Sequence, residues 1–255
     1  MSYLHAAPMA LAHRGFSLAG LENTLTAFRA AWDLGFTHLE TDVHATADGV
    51  LVAFHDDTMD RVTDRTGAIA ASAWAEVQRA RIGGSERILR FDELAEEFPD
   101  ACLNVDVKTA AAIGPLAAAI ERMGLHDRVL VASFSDARRR AVLARLSRRA
   151  ASSAGMRTTA LLAFGGPAFP PGLLRHELRD VDCFQVPENR GRVRVATPRF
   201  LARAHALGRQ VHVWTVNDRA DMERLLDLGI DGLVSDRADL LRAVLERRGA
   251  WPPGG

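Results

Sequence analysis

Of the 32 basic residues in this chain, only Lys108 is a lysine. Cysteine is almost as scarce, with Cys102 and Cys183 the only two, and aromatic content is 6%. Two cysteines in 255 residues exclude a disulfide-stapled scaffold. Both sit in or beside apolar runs and read as buried free thiols of a reducing compartment. No stretch approaches the ~18 uninterrupted apolar residues of a membrane-spanning helix, so no stable membrane insertion is expected. Formal net charge is zero. That removes the broad basic field of a nucleic-acid binder, and no nucleic-acid partner is expected. The clusters Arg138-Arg139-Arg140 and Arg148-Arg149 read as a solvated helix face. The first eleven residues show no basic start, apolar run or cleavage pattern, so no removable leader is expected and the expected location is cytoplasmic.

What is present is a repeating rhythm. β-rich runs at 9–13, 38–43, 101–107, 129–133, 159–164, 183–186, 210–215 and 232–235 alternate with amphipathic stretches at 23–34, 111–123, 136–146, 198–207, 220–228 and 237–247. Eight strands with intervening helices in one domain-sized chain of 255 residues predict an α/β fold, a single closed (β/α)8 TIM barrel over 1–255. An open doubly wound sheet is the alternative. Asn23 is placed to cap the first helix, Pro198 follows a capping Thr197, and Gly35, Gly124, Gly208 and Gly229 stop helices. Residues 44 to 100 are too long for one βα unit and predict a small insertion after the second strand. It holds an Asp48-Gly49 turn, a strand at 50–54, a loop at 56–68 and helical pieces at 72–80 and 91–97. Such an insertion commonly shapes a binding site. The Pro/Gly-rich tail from 248 to 255 reads as loose.

A barrel of this kind carries its site at the C-terminal ends of its strands. The residues due there are His13 and Arg14, Glu40 and Asp42, His55 with Asp56, Asp106 and Lys108, and Trp214 with Asn217. Period-2 alternation puts Glu40 and Asp42 on one face, and likewise Asn104, Asp106 and Lys108. Three carboxylates form an oxygen-ligand set for a hard divalent cation, Ca²⁺ or Mg²⁺. Two histidines supply an acid/base pair near neutral pH. Arg14 and Lys108 can neutralise phosphate oxygens. Lys108 stands out because a compact ammonium on a flexible stem fits a narrow site where a planar guanidinium does not. The bland reading of Asp106 and Lys108 is a structural ion pair inside the barrel. The larger constellation favours in-line displacement at a phosphodiester. His38, His44 and His212 read as structural or lining residues, and Trp214 as half core and half substrate wall.

The run Ala12-His13-Arg14-Gly15, Glu22-Asn23-Thr24, Glu40-Thr41-Asp42-Val43, Asp48-Gly49 and His55-Asp56-Asp57-Thr58 closely resembles the glycerophosphodiester phosphodiesterase family. So do Asp64-Arg65-Thr66-Gly67, Trp214-Thr215-Val216-Asn217 and the pair Ser235-Asp236. The resemblance implies a (β/α)8 barrel, a divalent metal ion, and hydrolysis of a small-molecule glycerophosphodiester to glycerol 3-phosphate and an alcohol. It implies His13 and His55 as acid/base pair, assisted by Arg14. Glu40, Asp42 and Asp106 would be the metal ligands, and Arg14, Lys108 and Trp214 the substrate contacts. Leu21 stands where relatives commonly carry Pro. Asp106 stands where many carry Glu, and its shorter side chain would draw the carboxylate back and permit a metal contact through water. The alternatives are a related barrel phospholipase or lyase, lysophospholipase D-like or forming a cyclic phosphate, and a catalytically inactive phosphodiester-binding barrel. Head group, metal identity and oligomeric state are not encoded in these motifs.

Overall fold

The computed structural model describes residues 3–4, 8–165 and 176–252. Eight strands run parallel: β1 (Met9–His13), β2 (His38–Ala45), β3 (Cys102–Val107), β4 (Val129–Ala132), β5 (Ala151–Ser152), β6 (Cys183–Pro187), β7 (Gln210–Trp214) and β8 (Gly232–Ser235). They pair in the order β6-β7-β8-β1-β2-β3-β4-β5. A parallel bridge between Ser153 and Cys183 brings β5 to β6 and completes the (β/α)8 barrel. Around it lie α1 (Leu25–Asp33), α2 (Trp74–Val77), α3 (Phe91–Glu97), α4 (Ile113–Met123), α5 (Asp136–Leu143), α6 (Met156–Phe164), α7 (Pro198–Ala206), α8 (Arg219–Leu228) and α9 (Ala238–Arg247). Outward strand residues such as Leu39, Val43, Val105 and Val131 pack with Phe28, Leu116 and Leu241 of the helices in the main core. A second, smaller cluster with Met9, Leu11, Leu130 and Val234 lies apart from it. Both cysteines belong to that cluster, free and buried.

The fifth strand is not where the sequence reading put it. Residues 159–164 belong to helix α6, whose buried side chains are Thr158 and Leu162, four apart as a helix demands. The run resembles a buried strand because Thr158 and Thr159 precede an apolar stretch. The true β5 is two residues long, in register with Leu130 and Val131 of β4. A strand of that length has no period to detect.

Other boundaries shift by smaller amounts. Thr24, not Asn23, caps α1, its hydroxyl accepting from the Ala27 amide at 3.2 Å. Thr197 caps α7 ahead of Pro198 as expected, and Gly124 and Gly229 end α4 and α8 in the left-handed conformation. Trp251 packs on Phe36 with ring centroids 5.0 Å apart, so the described part of the tail is tied down; residues 253–255 lie outside the described residues.

Nor do the arginines of α5 form a solvated face. Arg139 is fully buried and paired with Asp136 at 3.3 Å and Asp180 at 3.1 Å. Arg140 reaches Glu177 and Asp180, while Arg138 donates to the carbonyls of Val107 and Lys108. Charge periodicity cannot distinguish these cases, because Asp136 alone lies on the helix while Glu177 and Asp180 come from a distant segment. Asp136 accepts from the Gly155 amide at 3.0 Å, the Thr158 amide at 3.1 Å and the Thr158 hydroxyl at 2.7 Å. Burial opposes its charge, but these donors and Arg139 hold its pKa below the ordinary value. A depressed folded-state pKa adds stability above the unfolded value of about 3.9, lost as pH falls through the folded one. Asp136→Asn should therefore weaken the protein at neutral pH and flatten the acid limb below about pH 4 of its urea-denaturation stability curve. An unchanged acid limb would contradict this account.

Strand register sets the site. His13 lies opposite Glu40, and Asp42 opposite Asp106, while Ala12 pairs with Ser235 at the β1–β8 seam. The insertion begins as a hairpin: Leu51–Ala53 runs antiparallel to the end of β2, with Val43 opposite Ala53. The Phe54 amide then donates to the Asp42 carbonyl at 2.9 Å, which delivers His55 to the mouth. The insertion has its own cluster of Val52, Phe54, Met59, Ile69, Val77 and Ile82. At the end of β1, Gly15 has φ +84°, and a Cβ there would stand 2.6 Å from the Ala27 backbone carbon. Gly15→Ala should destabilise the fold by about 2 kcal/mol or more, read as a lowered urea midpoint.

Candidate active site

His13 ends β1 with its Nδ1 at 2.5 Å from Asp236 Oδ1 and its Nε2 at 3.8 Å from Glu40 Oε2. A carboxylate only accepts, so the Asp236 contact fixes a proton on Nδ1 and leaves Nε2 to exchange protons at the mouth. Asn217 holds the other Asp236 oxygen at 2.7 Å and accepts from the Asp236 amide at 2.9 Å. Burial alone would lower the His13 pKa; the Glu40 charge and the Asp236 hydrogen bond outweigh it and leave the pKa raised. His55 repeats the arrangement, with Nδ1 at 2.5 Å from Asp56 Oδ1. Arg61 grips Asp56 and also Glu22, and Glu22 in turn accepts from Arg14 at 3.0 Å. The Arg61 hydrogen bond is the main cause that brings Asp56 down to about 2. His44 Nε2 supports the loop from beneath through the His55 carbonyl at 3.1 Å.

The floor between them is acidic. Lys108 Nζ stands 2.7 Å from Asp42 Oδ1 and 2.7 Å from Asp106 Oδ2. Arg14, with φ +57°, donates its amide to Glu40 Oε2 at 3.1 Å and sets its Nε 3.0 Å from Asp42 Oδ2. Asn23, also at φ +57°, donates to the same Asp42 oxygen at 3.3 Å. Burial disfavours the Asp42 charge, but Lys108 and Arg14 overcome it and hold its pKa low. Glu40 goes the other way: burial, then the Asp42 charge, push it up to about 7. Burial also opposes the Lys108 charge, but Asp106 and Asp42 keep its pKa above the ordinary lysine value.

All the residues singled out from sequence meet at this end of the barrel. Trp214 is half-buried and packs edge-on to Phe134, centroids 5.6 Å apart, and the Phe134 ring centroid is 5.9 Å from Lys108 Nζ. Three residues were missed or misread. Asp236 follows β8 and reaches His13 only because β8 closes onto β1, a neighbour relation that barrel closure itself predicts. Asn23 reads locally as a helix cap. Arg61 lies in a polar loop with no period to mark it.

The chemistry of the floor fits a divalent cation. Asp106 Oδ1 is buried without a hydrogen-bond partner, and burial and the Asp42 charge raise the pKa of Glu40. Both are hard oxygen donors of the type Mg²⁺ and Ca²⁺ prefer. Among the described residues, no three His, Cys, Asp or Glu side chains already converge at ligating geometry; Lys108 bridges two of the three carboxylates instead.

Two histidines held by carboxylates over an acidic floor thus stand together at the C-terminal mouth of a (β/α)8 barrel, the end at which such barrels carry their active sites. Sequence comparison is more specific. The Glycerophosphoryl diester phosphodiesterase family model matches residues 13–240. A probable glycerophosphodiester phosphodiesterase 2 of Mycobacterium tuberculosis is 44% identical, covering 97% of this chain and 94% of that protein. A glycerophosphodiester phosphodiesterase of Caldanaerobacter subterraneus is 28% identical over 94% of this chain and 99% of its own length. In fold, the chain is similar to a glycerophosphodiester phosphodiesterase crystal structure from Agrobacterium tumefaciens, with a TM-score of 0.76 at 22% identity, covering 92% of this chain and 99% of that one. It is likewise similar to an Oleispira antarctica phosphodiesterase solved with the product sn-glycerol-3-phosphate, with a TM-score of 0.75 at 23% identity, covering 94% of this chain and 97% of that one. The chain belongs to the glycerophosphoryl diester phosphodiesterase family, and is an enzyme of that phosphoric diester hydrolase class.

Proposed function

We propose that this protein hydrolyses small-molecule glycerophosphodiesters to sn-glycerol 3-phosphate and an alcohol, with His13 and His55 as the acid/base pair. The observation that carries the reading is the pair of Nδ1-anchored histidines, one beside Glu40 and the other on the loop that the Asp42 backbone positions. Each ring has its tautomer set by a carboxylate, so each presents Nε2 to the mouth. His13 Nε2 takes the proton of the attacking hydroxyl as its oxygen bonds to phosphorus. His55, as the imidazolium with its Nδ1 proton held by Asp56, gives its Nε2 proton to the departing alkoxide as the phosphorus–oxygen ester bond breaks. Lys108 and Arg14 offset phosphate charge, and the Trp214 face covers the apolar edge of the substrate. A divalent cation, Ca²⁺ or Mg²⁺, held by Glu40, Asp42 and Asp106, would add charge neutralisation at phosphorus. Residues 1–255 act as one barrel domain, with the insertion at about 44–100 supplying His55. Among the described residues no helix is long and apolar enough to cross a membrane. The free buried thiols support a cytoplasmic location.

Release of glycerol 3-phosphate from a panel of glycerophosphodiesters tests this reading. EDTA-stripped protein should be inactive, and Ca²⁺, Mg²⁺ or Mn²⁺ should restore turnover at least ~100-fold. Full activity after stripping would remove the cation from the mechanism. No release with any metal from folded protein would remove the substrate class.

A further inference from the structure

The catalytic mouth has an arginine-rich, apolar sector between β5 and β8 that hydrolysis does not use. Arg157 lies in the first turn of α6, Arg199 in the first turn of α7, and Arg219 opens α8. The positive end of a helix dipole disfavours cations, so three helices starting this way at one end of the barrel run against local preference. Between β6 and α7 a two-stranded hairpin, Asn189–Arg190 with Val193–Arg194, stands out from the same end. Arg194 pairs with Glu188 at 3.2 Å. Arg157, Arg190, Arg192, Arg199 and Arg219 make no ion pair among the described residues, in a chain of zero net charge.

Large apolar side chains are interleaved with these charges. Phe134 is 46% exposed, Met156 44% and Val193 47%, most of the exposed large hydrophobics among the described residues. They form a connected ridge. The Met156 amide donates to the Phe134 carbonyl at 2.9 Å, Arg190 reaches the Met156 sulfur at 3.4 Å, and Arg190 pairs across the hairpin with Val193. At its inner end Phe134 touches Trp214 and approaches Lys108. The ridge stands on the loops after β4, β5 and β6.

We propose that this sector is a peripheral docking surface for an anionic phospholipid bilayer, which seats the enzyme mouth-down. Unpaired arginines meet lipid phosphates, while Val193, Met156 and Phe134 enter the headgroup layer. A nucleic acid would satisfy the charge but leave the aliphatic and thioether groups against a hydrated polyanion. The docking is reversible and involves no spanning segment. It is independent of which phosphodiester is cleaved.

The test is co-sedimentation of the full chain with large vesicles of phosphatidylcholine alone, or with about one third phosphatidylglycerol, at low and high salt. Binding to the anionic vesicles should exceed that to neutral ones at least ~10-fold at about 50 mM salt and fall steeply by about 500 mM. The variant Arg190→Glu/Arg192→Glu/Val193→Ser should lose at least ~10-fold of that binding while hydrolysing a water-soluble glycerophosphodiester as before. A second variant on separate helices, Arg157→Glu/Arg199→Glu, should lose binding too. Equal binding to neutral and anionic vesicles, wild-type binding by both variants, or displacement from vesicles by a short oligonucleotide would overturn the proposal.

Discussion

His55→Ala should lower kcat on glycerophosphodiesters by about 10²–10⁴-fold with little change in the melting transition, because a positioned proton donor contributes on that scale. The side chain is partly exposed and, among the described residues, hydrogen-bonds to Asp56 alone, so its loss leaves no cavity in the core. His13→Ala should match it in activity. His13 is more enclosed and neighbours Glu40, so a small stability change is expected there. The two roles separate with the leaving group. A substrate whose alcohol departs without protonation, such as a nitrophenyl ester, should largely rescue the variant of the general acid and not that of the base. Wild-type kcat in either alanine variant on a natural diester would remove that histidine from the acid/base pair.

Lys108→Arg should reduce kcat/KM by roughly 10–100-fold although charge is conserved. The ammonium makes two contacts of 2.7 Å, to Asp42 and Asp106, from a point that both carboxylates share. A guanidinium is planar and wider, and cannot place one nitrogen there without turning its fork into one of the carboxylates. A steady-state comparison with Lys108→Met separates charge from shape. Full activity of the arginine variant would refute the inference drawn from the single lysine. Equal losses in both would show that shape, more than charge, is what this position supplies.

The polar mouth was legible because each of its residues carries its own signal. His13, Glu40, Asp42, His55, Asp106 and Lys108 fall at strand ends or on one strand face, where period-2 alternation and barrel polarity specify direction without knowledge of neighbours. Motif order then named the family. What failed had no local signal. β5 is too short to show a period, and α6 presents Thr158 beside an apolar run that mimics a strand. Arg139 is charged in a polar stretch, yet it is buried because Asp136 and Asp180 reach it.

By itself, then, the chain's sequence determined the α/β alternation, the inward-facing carboxylates and the pair of candidate acid/base histidines. These depend on backbone periodicity, which is a property of consecutive residues. Only the tertiary structure decided which group orients which. Asp236 meets His13 because the last strand closes on the first, and Arg61 steadies Asp56 because the insertion folds back over Glu22. It alone also gathered, on one side of the mouth, an apolar ridge and five arginines that make no ion pair among the described residues. Contacts between residues far apart in the chain follow from closure and packing, and no local pattern records them.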